Sequence, residues 1–235
     1  YMMSSTSSEV SRASQTHQVP HIGFPQREPV ARQMKVNAAP MGAAALAETV
    51  YRQLAERYGE PYRHYHTLNH IRHCLRLFDR TAALMREPDL VEMALWFHDA
   101  IYQPGAQDNE RRSANLFRQW AEGGMDPMNL QRVDDLIMLT THRDSPQGDG
   151  EFVVDIDLSS FSLPWDECER DGRRVRAEFA ELSDAQFYPG HLRFLRVLQS
   201  RPCFFYTDFF RRHYEQLARD NLHRIITRLQ AQGYG

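Results

Sequence analysis

The chain has 235 residues, of which 42% are hydrophobic and 25% charged, values typical of a globular protein rather than of a fibrous or wholly disordered chain. Its net charge of −3 gives no electrostatic signal for nucleic acid or for an acidic membrane surface, and no stretch approaches the roughly 18 apolar residues of a membrane span. The three cysteines are widely spaced and form no CxxC pair, which disfavours a disulfide framework or a thiolate zinc site and leads us to expect a cytoplasmic protein.

Residues 1–41 differ in composition from the rest of the chain. Serine and threonine are frequent at the start, and Pro20, Pro25, Pro29 and Pro40 interrupt the remainder of the segment, which has no periodic apolar pattern. Such a segment buries too little apolar surface to order itself. We therefore predict a disordered or loosely docked tail over residues 1–41 and a single domain over residues 42–235.

Apolar residues recur at intervals of three and four along most of that domain, which is the pattern of amphipathic helices. Leu68, Ile71, Leu75 and Phe78 show this spacing in one segment. No alternating strand pattern and no internal repeat is present, so the sequence predicts an all-α bundle. The predicted helices cover residues 44–58, 66–84, 90–102, 108–122, 129–142, 165–182, 191–199 and 206–230, with a helical turn or buried loop at 152–161.

His98 and Asp99 stand inside an apolar run, residues 95–102. Burying an imidazole and a carboxylate side by side costs free energy unless both have partners. A metal ion would satisfy both at once, since a neutral imidazole nitrogen and a carboxylate oxygen are both good ligands. The pair therefore predicts part of a metal site, and the other ligands must come from elsewhere in the chain.

Three further segments offer side chains of the same kinds. His66 and His70 are four residues apart, so we expect them on one face of a helix where both reach one site. His142 ends a predicted helix. Asp155 and Asp157 flank one isoleucine in an apolar run, and either carboxylate is a candidate ligand.

Each of these segments has a simpler explanation when it is taken alone. A histidine pair on a helix is more often a surface feature, and His142 suits the carbonyl groups at a helix C-terminus. Either aspartate is able to cap a turn. Function is favoured because four segments of one domain each set metal-ligand side chains among apolar residues.

The order His, His-Asp, Asp resembles the signature of the HD superfamily of metal-dependent phosphohydrolases, and the details are closest to its branch of predicted HD phosphohydrolases. The resemblance covers about residues 46–230 and implies an all-α HD-domain helical bundle. The motifs that carry it are residues 65–71 (YHTLNHI), 97–102 (FHDAIY), 108–114 (DNERRSA), 141–142 (TH), 155–159 (DIDLS) and 218–222 (ARDNL).

A second resemblance, to cyclic-nucleotide phosphodiesterases, implies roles for individual residues. In those enzymes the second histidine of the first motif binds metal and the first protonates the leaving group, which implies His70 as a ligand and His66 as the acid. Their Asp-Leu-Ser element matches the segment at Asp157, which implies Asp157 rather than Asp155 as a ligand. The metal ligands implied in this way are His70, His98, Asp99 and Asp157.

Mixed nitrogen and oxygen ligands suit Mn, Fe, Co, Ni or Zn, with Mg as a less favoured option. We expect the ion to activate water toward a small phosphorylated substrate, such as a nucleotide, with His66 and Asp99 in catalytic roles. Glu110 is a weaker candidate for proton transfer, since a carboxylate is also favoured in the first turn of any helix. Arg63 and His142 are candidate substrate contacts; a surface role is equally expected for Arg63, and His142 is also a candidate ligand for a second ion.

Two other functions fit the same motifs. One is a non-catalytic regulatory HD module that binds a nucleotide or a metal, although intact ligands in all four segments favour an open catalytic site. The other is an iron-dependent HD oxygenase, disfavoured because the dinuclear members have two intermediate histidines where this chain has only His142. The sequence leaves open the substrate, the native metal and the oligomeric state, with a homodimer among the options.

Overall fold

The computed structural model describes the backbone of residues 40–234 and the side chains of residues 48–234. Within that range the chain forms nine α-helices and no strand, which confirms the predicted all-α class. The tail predicted over residues 1–41 lies, up to residue 39, outside the described residues.

The helices are α1 (Pro40–Tyr58), α2 (Leu68–Thr81), α3 (Pro88–Phe97), α4 (Asn109–Ala121), α5 (Pro127–Leu139), α6 (Asp149–Asp157), α7 (Trp165–Glu178), α8 (Asp184–Ser200) and α9 (Asp208–Ala231), with short 3₁₀ segments at Ala82–Leu84 and Leu158–Ser162.

The central helix is α3, which packs against α2, α4, α5 and α6. A helix that is apolar on all sides is driven into the interior by the hydrophobic effect. The buried apolar side chains of α3 are those of Leu90, Val91, Ala94, Leu95 and Phe97. Because α3 lies in the core, the residues that follow its last turn are also delivered into the interior of the domain.

The helix predicted over residues 90–102 ends earlier than expected, at Phe97. Beyond Phe97, the backbone carbonyl groups accept hydrogen bonds from a buried arginine instead of from amides of a further helical turn. Arg63 donates to the carbonyl oxygens of Asp99 (2.7 Å) and Ala100 (3.2 Å). Since Arg63 is distant in sequence, the apolar pattern of the segment did not reveal where the helix stops.

Two polar side chains of α4 hold the loop after α3. Ser113 Oγ accepts from the amide of Ile101 (2.9 Å) and donates to its carbonyl (3.2 Å). Asn109 accepts from the amide of Gln103 (2.9 Å) and donates to its carbonyl (3.0 Å). These paired contacts give partners to backbone groups that have left the helical hydrogen-bond pattern, in a partly exposed loop.

Two helix boundaries change the surroundings of predicted site residues. α2 begins at Leu68, where the Thr67 hydroxyl caps it, so His66 lies just before the helix rather than on its face. α5 ends at Leu139, which leaves His142 in the loop beyond it. The expected helical register is therefore wrong for both histidines.

Other boundaries lengthen the predicted helices. The segment expected as a turn or loop at 152–161 is α6 continued by a 3₁₀ turn. The helix expected at 191–199 extends back to Asp184, because Ser183 and Gln186 form a reciprocal capping box. No helix in the described part of the chain is both long and apolar enough to cross a membrane.

The segment after α6 is held by α9. Asn221 Nδ2 donates to the carbonyl oxygens of Phe161 and Leu163, both at 2.8 Å. Asn221 is buried, so these bonds satisfy an amide that has little access to water. The contact fixes the chain immediately beyond Asp157.

An ionic cluster joins α4 to α5. Asp134 is 2% exposed, and it accepts hydrogen bonds from Arg111 (3.1 Å) and Arg118 (3.0 Å). Burial raises the pKa of Asp134, but the two guanidinium groups outweigh burial and lower that pKa below its ordinary value.

We predict that Asp134→Asn lowers the free energy of unfolding at pH 7 by about 1–2 kcal/mol, because a charge-assisted contact is lost. A carboxyl with a lowered pKa in the folded state stabilises the fold above its unfolded pKa of about 3.9, and loses that contribution as pH falls through the folded pKa. Urea denaturation of both proteins across pH should therefore show curves that converge below about pH 4. Asp135→Asn, an exposed neighbour, is the control and should match wild type; a constant gap down to low pH would contradict the interpretation.

Candidate metal centre

His98 is the first residue after α3 and is 1% exposed. Its Nδ1 donates to the carbonyl oxygen of Leu95 at 2.9 Å. Since a carbonyl only accepts, the ring proton sits on Nδ1 and the lone pair on Nε2. The hydrogen bond thus orients the ring and presents Nε2 as a ligand atom.

His70 lies in the first turn of α2 and is also buried. Its Nε2 lies 3.2 Å from Nε2 of His98. Across this gap the Nε2–H tautomer of His70 donates to the Nε2 lone pair of His98. When Nε2 is unprotonated in both rings, two lone pairs face one point, and a cation at that point takes both as ligands.

Two carboxylates complete the cluster. Oδ2 of Asp99 lies 3.0 Å from Nε2 of His98 and 3.6 Å from Nε2 of His70. Oδ1 of Asp157 lies 3.4 Å and 3.2 Å from the same two nitrogens. Burial raises the pKa of each carboxyl, but in the absence of a cation the protonated forms of the neighbouring histidines outweigh burial and hold both pKa values below the ordinary range.

The separations of the carboxylate oxygens from the two histidine nitrogens, 3.0–3.6 Å, match those of adjacent ligand atoms around a single ion. Ligand bonds of about 2.1 Å place adjacent ligand atoms about 3.0 Å apart in an octahedron and about 3.4 Å apart in a tetrahedron. Among the described residues, His70, His98 and Asp99 offer ligand atoms that all lie within 4.8 Å of one another; Asp157 stands outside that mutual set, although its Oδ1 lies within 3.4 Å of both histidine nitrogens. Two neutral imidazoles with two carboxylates are a fitting donor set for a divalent transition metal.

Asp155 lies outside this cluster. Residues two apart on a helix point in nearly opposite directions, so only one of the two aspartates of α6 can face the histidines. The Asp155 carboxylate accepts from the amides of Tyr206 and Thr207 and from the Thr207 hydroxyl, all at 2.8 Å. Burial raises its pKa to about 6, against the effect of these bonds. Asp155 therefore ties α6 to the start of α9.

His142 contacts the cluster through Asp157. Its Nε2 donates to Oδ2 of Asp157 at 3.0 Å, which leaves Oδ1 toward the other histidines. His142 has a φ of 56°, and no other non-glycine residue in the described range has a positive φ. Such a conformation costs free energy and is maintained only where the surroundings enforce it. The structure gives His142 a role in orienting Asp157, beside the substrate contact predicted for it.

His66 is paired with a residue that the sequence did not single out. Its Nδ1 donates to Oε2 of Glu178 at 2.6 Å, and its ring stacks on that of Tyr102 with centroids 4.1 Å apart. Burial lowers the pKa of His66, but Asp99 and Glu178 outweigh burial and raise it above the usual value. Because Nδ1 is occupied, Nε2 is the ring atom left to contact a ligand.

Glu178 holds the whole segment that carries His66. Its Oε1 accepts from the backbone amides of residues 64, 65 and 66, and its Oε2 also accepts from the Tyr102 hydroxyl (2.9 Å). Burial raises the pKa of Glu178, but His66 and these donors lower it to about 2. Glu178 lies in an arginine-rich segment that resembles a solvated helix face, so no sequence signal distinguished it.

The structure places Arg63 in the interior, away from the cavity where a substrate contact was expected, and not on the surface. Its guanidinium is fully buried, donates to Glu60 and to the carbonyl oxygens of His66, Asp99 and Ala100, and is not part of the cavity wall. Those contacts occupy its donors, so Arg63 is a positioning residue for the loop after α3 rather than a phosphate contact.

The cluster opens into a cavity of about 1080 Å³. His66, Asp99, His142 and Asp157 line one part of it, so the predicted acid and both carboxylate ligands face the same space. Glu110 lies in the first turn of α4 and also lines the cavity. Burial raises the pKa of Glu110, and the carboxylates of the cluster add to that shift.

Substitutions of the two aspartates of α6, Asp155 and Asp157, should affect different properties: the free energy of unfolding and metal affinity. We predict that Asp155→Asn lowers the free energy of unfolding by about 1–3 kcal/mol, because donors at the start of α9 lose a charged acceptor, while the folded fraction keeps its metal. Asp157→Asn should lose metal affinity with a smaller effect on unfolding. Thermal denaturation and elemental analysis of both variants check this, and the reverse pattern would show that Asp155 is the ligand.

No protein-family model matches this chain, and neither does any curated protein or solved structure. The likeness to the HD superfamily therefore rests on the ordered motifs of the sequence. The convergence of their side chains at one cavity is an independent observation about this chain alone.

Proposed function

We propose that the protein is a metal-dependent phosphohydrolase of the HD type that acts on a small phosphate ester, such as a nucleotide. The observation that carries the proposal is the convergence of two buried imidazole nitrogens and two carboxylates beside a large cavity. A convergent set of this kind at the wall of a cavity is the usual form of a catalytic metal site.

The ligands would be His70, His98, Asp99 and Asp157, and their mixed donor atoms favour Mn, Fe, Co, Ni or Zn over Mg. When bound, such an ion lowers the pKa of a water ligand and polarises a phosphoryl oxygen. The Leu95 carbonyl keeps His98 in place, and His142 does the same for Asp157.

His66 is proposed to donate a proton to the departing oxygen of the ester. Glu178 accepts the proton of Nδ1, so the mobile proton of a charged imidazole resides on Nε2, the nitrogen left for a ligand. The Glu178 carboxylate also stabilises the imidazolium that serves as the acid. Positioned proton transfer of this type contributes about 10²- to 10⁴-fold to a rate.

This arrangement favours a hydrolase over a non-catalytic regulatory module. The Glu178 carboxylate holds Nδ1 of His66 and leaves Nε2 beside the proposed metal ligands. A module that only binds a ligand does not need a histidine positioned in this way. The Glu178–His66 pair is built from segments 112 residues apart.

We predict that His98→Ala and Asp99→Ala each lose bound metal and at least about 10³-fold in phosphate release, because the ligand set is broken. His64→Ala is the matched control, since the His64 side chain is exposed and should leave both measurements unchanged. Phosphate release is measured over a panel of phosphate esters with each candidate metal, alongside metal content. Full activity in either ligand variant would exclude the proposed site.

We also predict that Glu178→Gln lowers kcat by roughly 10- to 100-fold with little change in KM, because His66 loses the group that holds and charges it. In a His66→Asn background the same substitution should have no further effect on kcat, since the two residues act as a unit. Thermal denaturation reports separately on any loss of the backbone contacts. Independent, additive effects in the double variant would contradict the pairing.

A further inference from the structure

The cavity beside the metal centre continues between α7, α8 and α9, and each of these helices turns one face toward it. On α7 the apolar lining residues are Trp165, Cys168 and Val175, followed by Phe179, with Gly172 between them and Glu169, Asp171 and Arg173 also in the wall; on α8 they include Phe187, Gly190, Phe194 and Val197; on α9 they include Ile225 and Leu229. The apolar residues recur at spacings of three and four, which places them in a stripe on each helix. Stripes of this kind normally pack against other side chains, whereas Val197 is 54% exposed and Val175, Phe194 and Ile225 are half-buried at the cavity wall.

A glycine stands in the stripe of both α7 and α8. Neither Gly172 nor Gly190 has a positive φ, so neither backbone conformation requires glycine. A Cβ added to Gly172 would meet nothing within 4 Å, and one added to Gly190 would make an ordinary contact, at 3.6 Å, with Arg193. Packing therefore does not require glycine either, although glycine weakens a helix interior. The effect of both glycines is to keep this part of the cavity wide.

The wall around the glycines is aromatic. Phe187 stacks on His191 with centroids 5.1 Å apart, and Phe179 contacts Phe187 at 5.0 Å. Of the charged lining residues, Arg173 and Arg228 form ion pairs with Glu169, and Asp171 pairs with Arg174. Arg193 also lines the cavity, beside Gly190. The aromatic part of the wall suits a flat aromatic group.

We propose that this region binds the alcohol part of the substrate, which is a large aromatic group, and that Gly172 and Gly190 are specificity-determining residues. The inference rests on the proposed function in taking a phosphate ester as the ligand. The cavity of about 1080 Å³ is at the upper end for a ligand pocket, and a small aliphatic ester would leave most of it empty.

The test uses two phosphonates, 1-naphthylmethylphosphonate and ethylphosphonate. In both, a P–C bond replaces the scissile P–O bond of a phosphate ester, so hydrolysis does not consume them. Binding to wild type and variants is measured by calorimetry. We expect wild type to bind the naphthyl compound about tenfold or more tightly than ethylphosphonate, because the ring buries apolar surface against the aromatic wall. Gly172→Leu should remove that difference and leave the Kd of ethylphosphonate within about twofold of wild type.

Stability provides the control. Leucine is the better helix former, so Gly172→Leu should raise the Tm by roughly 2–4 °C while it blocks the pocket. Ala177→Leu, at an exposed position of α7, adds the same side chain outside the cavity and should bind both phosphonates as wild type does. Gly190→Leu, from the opposite wall, should reproduce the loss seen with Gly172→Leu.

Equal affinity of wild type for the two phosphonates, or unchanged naphthyl binding in both glycine variants, would overturn the proposal. The proposed function is tested separately with 1-naphthyl phosphate and each candidate metal. Selective naphthylphosphonate binding without any cleavage of 1-naphthyl phosphate or other esters would sustain the pocket and reject the hydrolase.

Discussion

The site is built around the 3.2 Å approach of two buried nitrogens, Nε2 of His70 and Nε2 of His98. The contact is a hydrogen bond when one nitrogen carries a proton, and it presents two ligand atoms to one point when neither does. His70 and His98 come from different helices, and the carboxylates of Asp99 and Asp157 approach from two further directions. Gathering two imidazoles and two carboxylates beside a cavity costs desolvation free energy. The binding energy of the proposed metal ion would offset that cost.

The surrounding structure holds two rings of the site, those of His98 and His66, by the nitrogen that the site does not use. The Leu95 carbonyl fixes His98, Glu178 fixes His66, and Asp157 is fixed in turn by His142. Each contact selects a tautomer or an oxygen as well as a direction. The conformational cost is met during folding, so the site has less to reorganise when a ligand enters.

The cavity lowers the stability of the folded chain, because its wall lacks packing contacts that a filled core would have. Apolar stripes on α7, α8 and α9 forgo part of the contact that a packed core would provide, and the interior glycines weaken two of the helices. Proteins accept such costs where a ligand supplies the missing contacts. Glu178 is the last residue of α7, so one helix both lines the cavity and positions His66, the proposed acid.

The sequence by itself determined the helical class and marked the segments that supply the candidate ligands, because both are visible in local patterns. Helical periodicity is visible in any window of a dozen residues, and an imidazole or carboxylate inside an apolar run is conspicuous wherever it lies. The choice of Asp157 over Asp155 came from the resemblance to known motifs, and the opposite directions of the two side chains on α6 agree with it. Only the tertiary structure decided where α3 ends, that Arg63 supports a loop, and that Glu178 holds His66. Those facts depend on hydrogen bonds between groups 36 to 112 residues apart, which leave no periodicity in the sequence.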